Sequence, residues 1–206
     1  MATCTCTRAT EKAHSLNISA VDVREDATAY VSGSRDYSVK VWDAETGANT
    51  SNFKRSRNVV TCLKFDPSGH LVYQGAEDLS VRVWDTRTAG VGADGCGASS
   101  SGGAGGGQPA ATLSGYVYFP LSLDVDASGT YLATGCKGFD NLGADVKVWD
   151  LRRTSGGGGS GGGTNANATP HFSFEGHGMD ASCAKFIGGG TTVLSAGASC
   201  IMGNRP

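Results

Sequence analysis

Three polar residues near the start of the chain are of the types that carry out nucleophilic catalysis. His14, Ser32 and Asp36 could form a Ser-His-Asp set, in which the imidazole accepts the serine proton and the carboxylate orients the imidazole. The serine of many such enzymes lies in a sharp turn between a strand and a helix. The segment around Ser32 does not have that pattern. These residues therefore need an explanation from the elements that hold them.

Other motifs of catalysis or cofactor binding are missing from the sequence. The glycine tracts lack the Lys-Ser/Thr pair of a phosphate loop and the strand–helix context of a dinucleotide site. The seven cysteines contain no C-x₂-C pair, and no His/Cys cluster remains for a metal. Their odd number argues against a disulfide framework. We therefore predict that the protein is not an enzyme and that it uses no cofactor and no metal.

A repeat of 42 residues accounts for the positions of the polar residues. Trp42 and Trp84 end two nearly identical segments, VKVWD and VRVWD, and VKVWD occurs again before Leu151. Short apolar runs alternate with turn signals such as DPSG and DASG, which predicts a series of short strands. Four strands in about 40–45 residues, the third ending in Trp-Asp, resemble one blade of a WD40 β-propeller.

The WD40 resemblance implies a buried polar network in each blade. It joins a histidine before the first strand, a Ser or Thr in the second, an aspartate in the next turn and the tryptophan of the third. Buried indole and imidazole groups need hydrogen-bond partners, so such a network stabilises the blade. In the first unit the network falls on His14, Ser32, Asp36 and Trp42. The later units keep Asp78 and Trp84, Thr134 and Trp149, and His177 and Ser195.

The second and third units depart from this pattern. The second unit has Ser56 and Gln74 where the histidine and the Ser/Thr are expected, so only its aspartate and tryptophan remain. The third unit begins with Tyr116, and an insertion lengthens its turn, where Asp140 or Asp145 could replace the usual aspartate. Since only the first unit is complete, we expect Trp42→Phe to cost more stability than Trp84→Phe.

The repeats predict an all-β fold: a partial WD40 β-propeller of three full four-stranded blades plus part of a fourth, open or incompletely closed. The predicted parts are a disordered tail at 1–12, units at about 13–55, 56–115, 116–154 and 170–200, Gly-rich loops at 90–110 and 155–169, and an aberrant tail at 201–206. In the fourth unit the aspartate and tryptophan positions hold Ser199 and Arg205. One interpretation is a truncated product without independent function. The other is an open array that closes by pairing with a partner.

Two unusual segments suggest a narrower resemblance. SRNVVTCL at Ser56–Leu63 is followed by EDLSVRVWD at Glu77–Asp85, and then by GFDNLGADVKVWDLRR at Gly138–Arg153. In this order they resemble the family of WD repeat-containing protein 31. That resemblance implies a cytoplasmic adaptor linked to cilium assembly or traffic.

The predicted function is protein binding by a non-catalytic scaffold or adaptor. Trp-Asp-x-Arg, which here ends at Arg87 and Arg152, is also similar to the motif of WD40 substrate receptors of cullin-4 ubiquitin ligases. An exposed arginine there could form a two-pronged ion pair with the ligase adaptor. With a net charge of −2, no basic run, no secretory signal and no membrane-length apolar stretch, we expect neither nucleic-acid binding nor membrane insertion, and a cytoplasmic location.

Overall fold

The computed structural model describes residues 9–54, 59–87, 108–140, 142–154 and 169–198. Most of the two predicted Gly-rich loops, most of the predicted N-terminal tail and all of the C-terminal one lie outside these ranges. Within them the chain forms short antiparallel strands, one short α-helix and one short 3-10 helix. The predicted all-β fold class is confirmed.

Three four-stranded sheets and one two-stranded sheet follow each other along the chain. The first sheet contains β1 (Ile18–Val23), β2 (Ala29–Ser34), β3 (Ser38–Asp43) and β4 (Asn49–Lys54). The second contains β5 (Val60–Phe65), β6 (Leu71–Ala76), β7 (Ser80–Asp85) and β8 (Ala111–Leu113). The third contains β9 (Pro120–Val125), β10 (Tyr131–Cys136), β11 (Asp145–Asp150) and β12 (Phe172–Glu175), with helix α1 (Leu151–Thr154) after β11. The fourth contains β13 (Cys183–Ile187) and β14 (Thr192–Ala196).

The third sheet corrects one predicted boundary. The sequence placed residues 170–175 at the start of the fourth unit, whereas β12 pairs with β11, as Val146 lies opposite Phe174. This strand is the outer strand of the third blade and follows the second Gly-rich tract. The three four-stranded blades therefore take their fourth strand from beyond their Trp-Asp pair, and a long insertion can separate the two.

Side-chain hydrogen bonds fix the turns between the first two strands of a blade. The Asp66 carboxylate accepts the backbone N–H of Leu71 at 2.7 Å, and the Asp126 carboxylate accepts that of Tyr131 at 2.6 Å. The turns end in glycines with positive φ, 71° at Gly69 and 69° at Gly129. An L side chain rarely adopts that conformation, so the DPSG and DASG signals determine where these hairpins turn.

The hydrophobic core lies between the blades. One cluster joins the first two blades and consists of Ala29, Val31, Val39, Val41, Phe53, Val60, Leu63, Phe65, Val72 and Trp84. A second cluster joins the second and third blades and is built around Tyr73, Leu113, Leu123, Leu132 and Trp149. Burying apolar surface in this way favours folding by about 25 cal/mol per Å². The first three blades therefore bury apolar side chains against one another.

Candidate functional site: blade networks and exposed arginines

The first blade brings all four predicted network residues together. His14 lies before β1, Ser32 is in β2, Asp36 is in the turn after β2 and Trp42 is in β3. The His14 Nε2 is 2.7 Å from the Ser32 Oγ, and its Nδ1 is 3.1 Å from the Asp36 carboxylate. The Trp42 indole N–H donates to the same Ser32 Oγ at 2.8 Å.

The order of donors in this network is that of a catalytic triad. Because Nδ1 faces the carboxylate, we assign the imidazole proton to Nδ1, and the Ser32 hydroxyl then donates to Nε2. However, Ser32 is buried and its oxygen already accepts the indole N–H. A cavity beside the network is lined by His14 and Asp36 but does not reach Ser32. A substrate would not meet the hydroxyl, so the arrangement stabilises the blade.

Burial and hydrogen bonding shift the pKa values of both charged members of the network. Burial lowers the pKa of His14 below its ordinary value and outweighs the opposing effect of the Asp36 charge. Burial alone would raise the pKa of Asp36, but hydrogen bonds from the Ser38 hydroxyl and the Ser15 backbone N–H hold it well below its usual range. The folded network therefore contains neutral His14 and ionised Asp36 at neutral pH.

We expect acidification from pH 7 to pH 5 to lower the denaturation midpoint through His14. Because the folded pKa is below the unfolded value of about 6.5, the unfolded state binds more protons as the pH falls. Asp36 adds a second loss only below its unfolded pKa of about 4, for the same reason. Urea denaturation at both pH values measures the change, with His14→Gln as control. An equal pH dependence in that variant would contradict the assignment to His14.

The second blade replaces the network with two other pairs. The Trp84 indole N–H donates to Gln74 Oε1 at 2.6 Å, so Gln74 provides the acceptor that Ser32 provides in the first blade. The Asp78 carboxylate forms an ion pair with the buried guanidinium of Arg82. The sequence interpretation kept only Asp78 and Trp84 and missed both partners. Ser56, which takes the histidine position in this unit, lies outside the described residues.

The third blade has a different polar centre. Among the described residues the buried Trp149 indole N–H has no hydrogen-bond partner, and its ring packs against Tyr116 with 5.5 Å between the centroids. Thr134 donates to the Lys147 carbonyl at 3.3 Å and does not bond the indole, which corrects its expected role. Asp145 pairs with Lys147 at 2.9 Å, and both are buried.

Two further predicted residues meet in the fourth blade. His177 Nε2 is 2.9 Å from the Ser195 Oγ, and both residues are buried. This repeats the His14–Ser32 contact of the first blade. Ser199 and Arg205, which occupy the aligned aspartate and tryptophan positions, lie outside the described residues. Asp140, the alternative acid of the third unit, is exposed and has a positive φ of 51°.

Arg87 and Arg152 occupy the same place on neighbouring blades. Each guanidinium forms two hydrogen bonds to the aspartate of its own Trp-Asp pair: Arg87 to Asp85 at 3.0 and 2.8 Å, and Arg152 to Asp150 at 3.1 and 3.0 Å. About two thirds of each arginine side chain remains exposed. The Arg152 guanidinium also lies over the Tyr131 ring, 5.7 Å from its centroid. Both arginines thus present an exposed, oriented donor group.

Comparison with known families identifies the repeat. The model of the WD domain, G-beta repeat, matches residues 4–43 and 48–85, which cover the first two Trp-Asp pairs. These two segments, which form most of the first two blades, therefore match the WD40 repeat, and the described architecture of three four-stranded blades and two strands of a fourth is consistent with a partial WD40 propeller. No curated protein matches the chain, so no homologue supports the narrower resemblance to the family of WD repeat-containing protein 31.

Two properties of the described residues bear on other types of function. None of the helices in the described ranges is both long and apolar enough to cross a membrane. In the same part of the chain, His, Cys, Asp and Glu residues do not form a group that could hold a metal ion. Of the cysteines described, Cys62 and Cys136 are buried and Cys183 is exposed. Burial raises the pKa of both buried thiols to about 12.

Proposed function

We propose that the protein is a non-catalytic scaffold that binds other proteins through its exposed blade ends. The observation that carries this proposal is the pair of Asp–Arg forks at Arg87 and Arg152. They repeat on adjacent blades, are oriented by their aspartates and remain exposed. Arginine is enriched among the residues that dominate protein interfaces, because one guanidinium combines a charge, a flat apolar surface and several directed donors.

The class of partner that these forks favour carries carboxylates or backbone carbonyls. A guanidinium that already bonds one carboxylate still has N–H groups that can donate to another acceptor. The polar networks inside the blades take no part in partner binding, since His14, Ser32 and Asp36 stabilise the first blade. WD40 repeats in general support such scaffolds, and this chain contains two segments that match them.

A substrate receptor of a cullin-4 ubiquitin ligase is the second candidate function. It is favoured by the same forks, because both follow Trp-Asp in the Trp-Asp-x-Arg order. In this candidate the two arginines contact the ligase adaptor while the rest of the propeller contacts the substrate. A cytoplasmic, cilium-associated adaptor is the third form of the proposal, and proximity labelling in ciliated cells that returned no ciliary or trafficking protein would remove it.

We expect the double substitution Arg87→Ala and Arg152→Ala to weaken binding of the purified cullin-4 adaptor by roughly 10-fold or more. Biolayer interferometry with the immobilised chain measures the affinity. The matched control is Arg35→Ala with Arg153→Ala, which removes two other exposed arginines. Absence of binding by the wild-type chain would exclude the receptor role. Equal losses in both double variants would show that the forks are not the contact.

A further inference from the structure

The four innermost strands carry charges of alternating sign at one shared position. These residues are Asp22 in β1, Lys64 in β5, Asp124 in β9 and Lys185 in β13, which we call the charge ladder. The Lys64 ammonium lies 3.7 Å from the Asp22 carboxylate and 3.9 Å from that of Asp124, and Lys185 lies 3.1 Å from Asp124. Each junction between described blades is thus crossed by one opposite-charge pair.

The two ends of the charge ladder are complementary. It begins with a carboxylate on the first blade and ends with an ammonium on the fourth. The Lys185 side chain is 51% exposed, compared with 28% for Lys64, which lies between two carboxylates. A further blade beside Lys185 would continue the alternation only if it carried an acid at this position. The first blade of a second copy of this chain carries Asp22 there.

The first blade exposes an apolar face that is buried in the blades after it. Ile18, Val21 and Val23 in β1 are about half exposed or more. Their counterparts in the second blade, Val60, Leu63 and Phe65, are buried against the first blade. Since the same positions are covered at the internal junctions, the outer face of β1 has the composition of a blade contact.

The fourth blade exposes the opposite half of such a contact. Cys183 and Leu194 are exposed, whereas Cys62, the counterpart of Cys183, is buried at the junction of the second and third blades. Hydroxyls also mark the junctions. Ser19 donates to the Val60 carbonyl and Thr61 to the Pro120 carbonyl, both at 2.6 Å and both on the following blade. Ser182 occupies the equivalent position on the fourth blade.

We propose that a second copy of this chain covers both faces. The fourth blade of each copy packs against the first blade of the other, so that Lys185 faces Asp22 of the second copy and the Ser182 hydroxyl reaches its Ile18 carbonyl. Two copies bring eight blades together, six of them four-stranded and two with two described strands. Eight is within the range of known propellers, and the charge alternation stays unbroken around the ring. A head-to-tail contact of this kind forms a closed ring when its rotation closes.

Sedimentation velocity over a concentration series tests this assembly. We expect the wild-type chain to have twice the mass of one chain, and Val21→Glu to raise the dissociation constant by roughly 30-fold or more, since it buries a charge at the centre of the contact. Val21 is 58% exposed in a single copy, so the variant can fold, which circular dichroism verifies. Val117→Glu is the matched control, because Val117 is 59% exposed on a loop outside the two faces.

The charge ladder has its own test in the same experiment. Lys185→Gln should weaken the dimer by about 2–5-fold and reduce its salt dependence, as expected for a partly exposed ion pair. The control is Lys54→Gln, which removes an exposed lysine from β4. A wild-type chain that stays monomeric, assembles beyond two copies, or dimerises equally well with Val21→Glu would overturn the proposal. An unchanged dissociation constant in Lys185→Gln would show that the charge ladder does not continue across the contact between the two copies.

Discussion

Trp84→Ala is expected to lower the free energy of unfolding by about 3–5 kcal/mol, the range for truncating a large buried aromatic side chain. Trp84 is 1% exposed and belongs to the cluster between the first two blades. Its ring stacks on Phe53 of the first blade with 4.9 Å between centroids, and its N–H is bonded to Gln74. Alanine would leave a cavity at a blade junction and would also remove the partner of the buried Gln74 oxygen.

Trp42→Ala is the matched comparison and should cost less, about 1–2 kcal/mol below the loss at Trp84. Trp42 is also buried, at 6% exposed, but it stacks on Tyr30 in its own blade, at 6.1 Å, and does not belong to the cluster between the first two blades that contains Trp84. This ranking is the reverse of the one expected from the sequence. That expectation assumed that Trp84 has no acceptor, whereas both indole N–H groups are bonded.

Urea denaturation followed by circular dichroism measures both losses. Each tryptophan variant is prepared in the Val21→Glu background, because association of two copies would add to the apparent stability of the folded chain. A loss at Trp42 equal to or larger than that at Trp84 would contradict the view that blade junctions are the main source of stability.

Strand positions and the first network were predictable because both follow directly from repeated residue types. The DPSG and DASG turns, the alternating apolar positions and the Trp-Asp pairs give the bounds of most strands within a residue or two. The placement of β12 was not predictable in the same way. A long insertion separates it from β11, and only strand pairing shows that Phe174 lies opposite Val146.

In the second and third blades the sequence offered the acids, Asp78 and the alternatives Asp140 and Asp145, but not their partners, for a different reason. The WD40 pattern specifies particular residue types at fixed positions, whereas the physical requirement is a hydrogen-bond acceptor or an opposite charge within reach. Gln74 meets that requirement with an amide oxygen, although it is longer than a serine. Asp145 meets it with an opposite charge, from a position that is two residues closer to Trp149 than Asp78 is to Trp84. A signal was present, since each of the three repeats that contain a tryptophan carries a cation two residues before it.

That repeated cation has a different partner in each blade. Lys40 donates to the Ala13 carbonyl at 2.6 Å, Arg82 pairs with Asp78, and Lys147 pairs with Asp145. The position therefore requires a long side chain with a donor at its end, and the neighbouring acceptor varies. Where the partner is a buried carboxylate, removal of the cation has the largest cost, because an isolated buried charge is poorly solvated.

Lys147→Met is accordingly expected to destabilise the chain by about 3–5 kcal/mol, since it leaves the Asp145 carboxylate buried and unpaired. Both side chains are only 10% exposed, so solvent screens the pair weakly. Adding Asp145→Ser to the same chain should recover most of the loss, because the second substitution removes the orphaned charge and restores the residue type found at the matching positions Ser38 and Ser80.

Urea denaturation of the wild type, both single variants and the double variant gives a full double-mutant cycle, from which the coupling energy follows. Lys40→Met is the control: its ammonium bonds a carbonyl, so its loss should be about 1 kcal/mol. If Lys147→Met cost no more than Lys40→Met, or if the double variant were no more stable than Lys147→Met alone, the pair would not be the polar centre of the third blade. A large coupling energy would instead show that this blade has exchanged the histidine network for one buried ion pair.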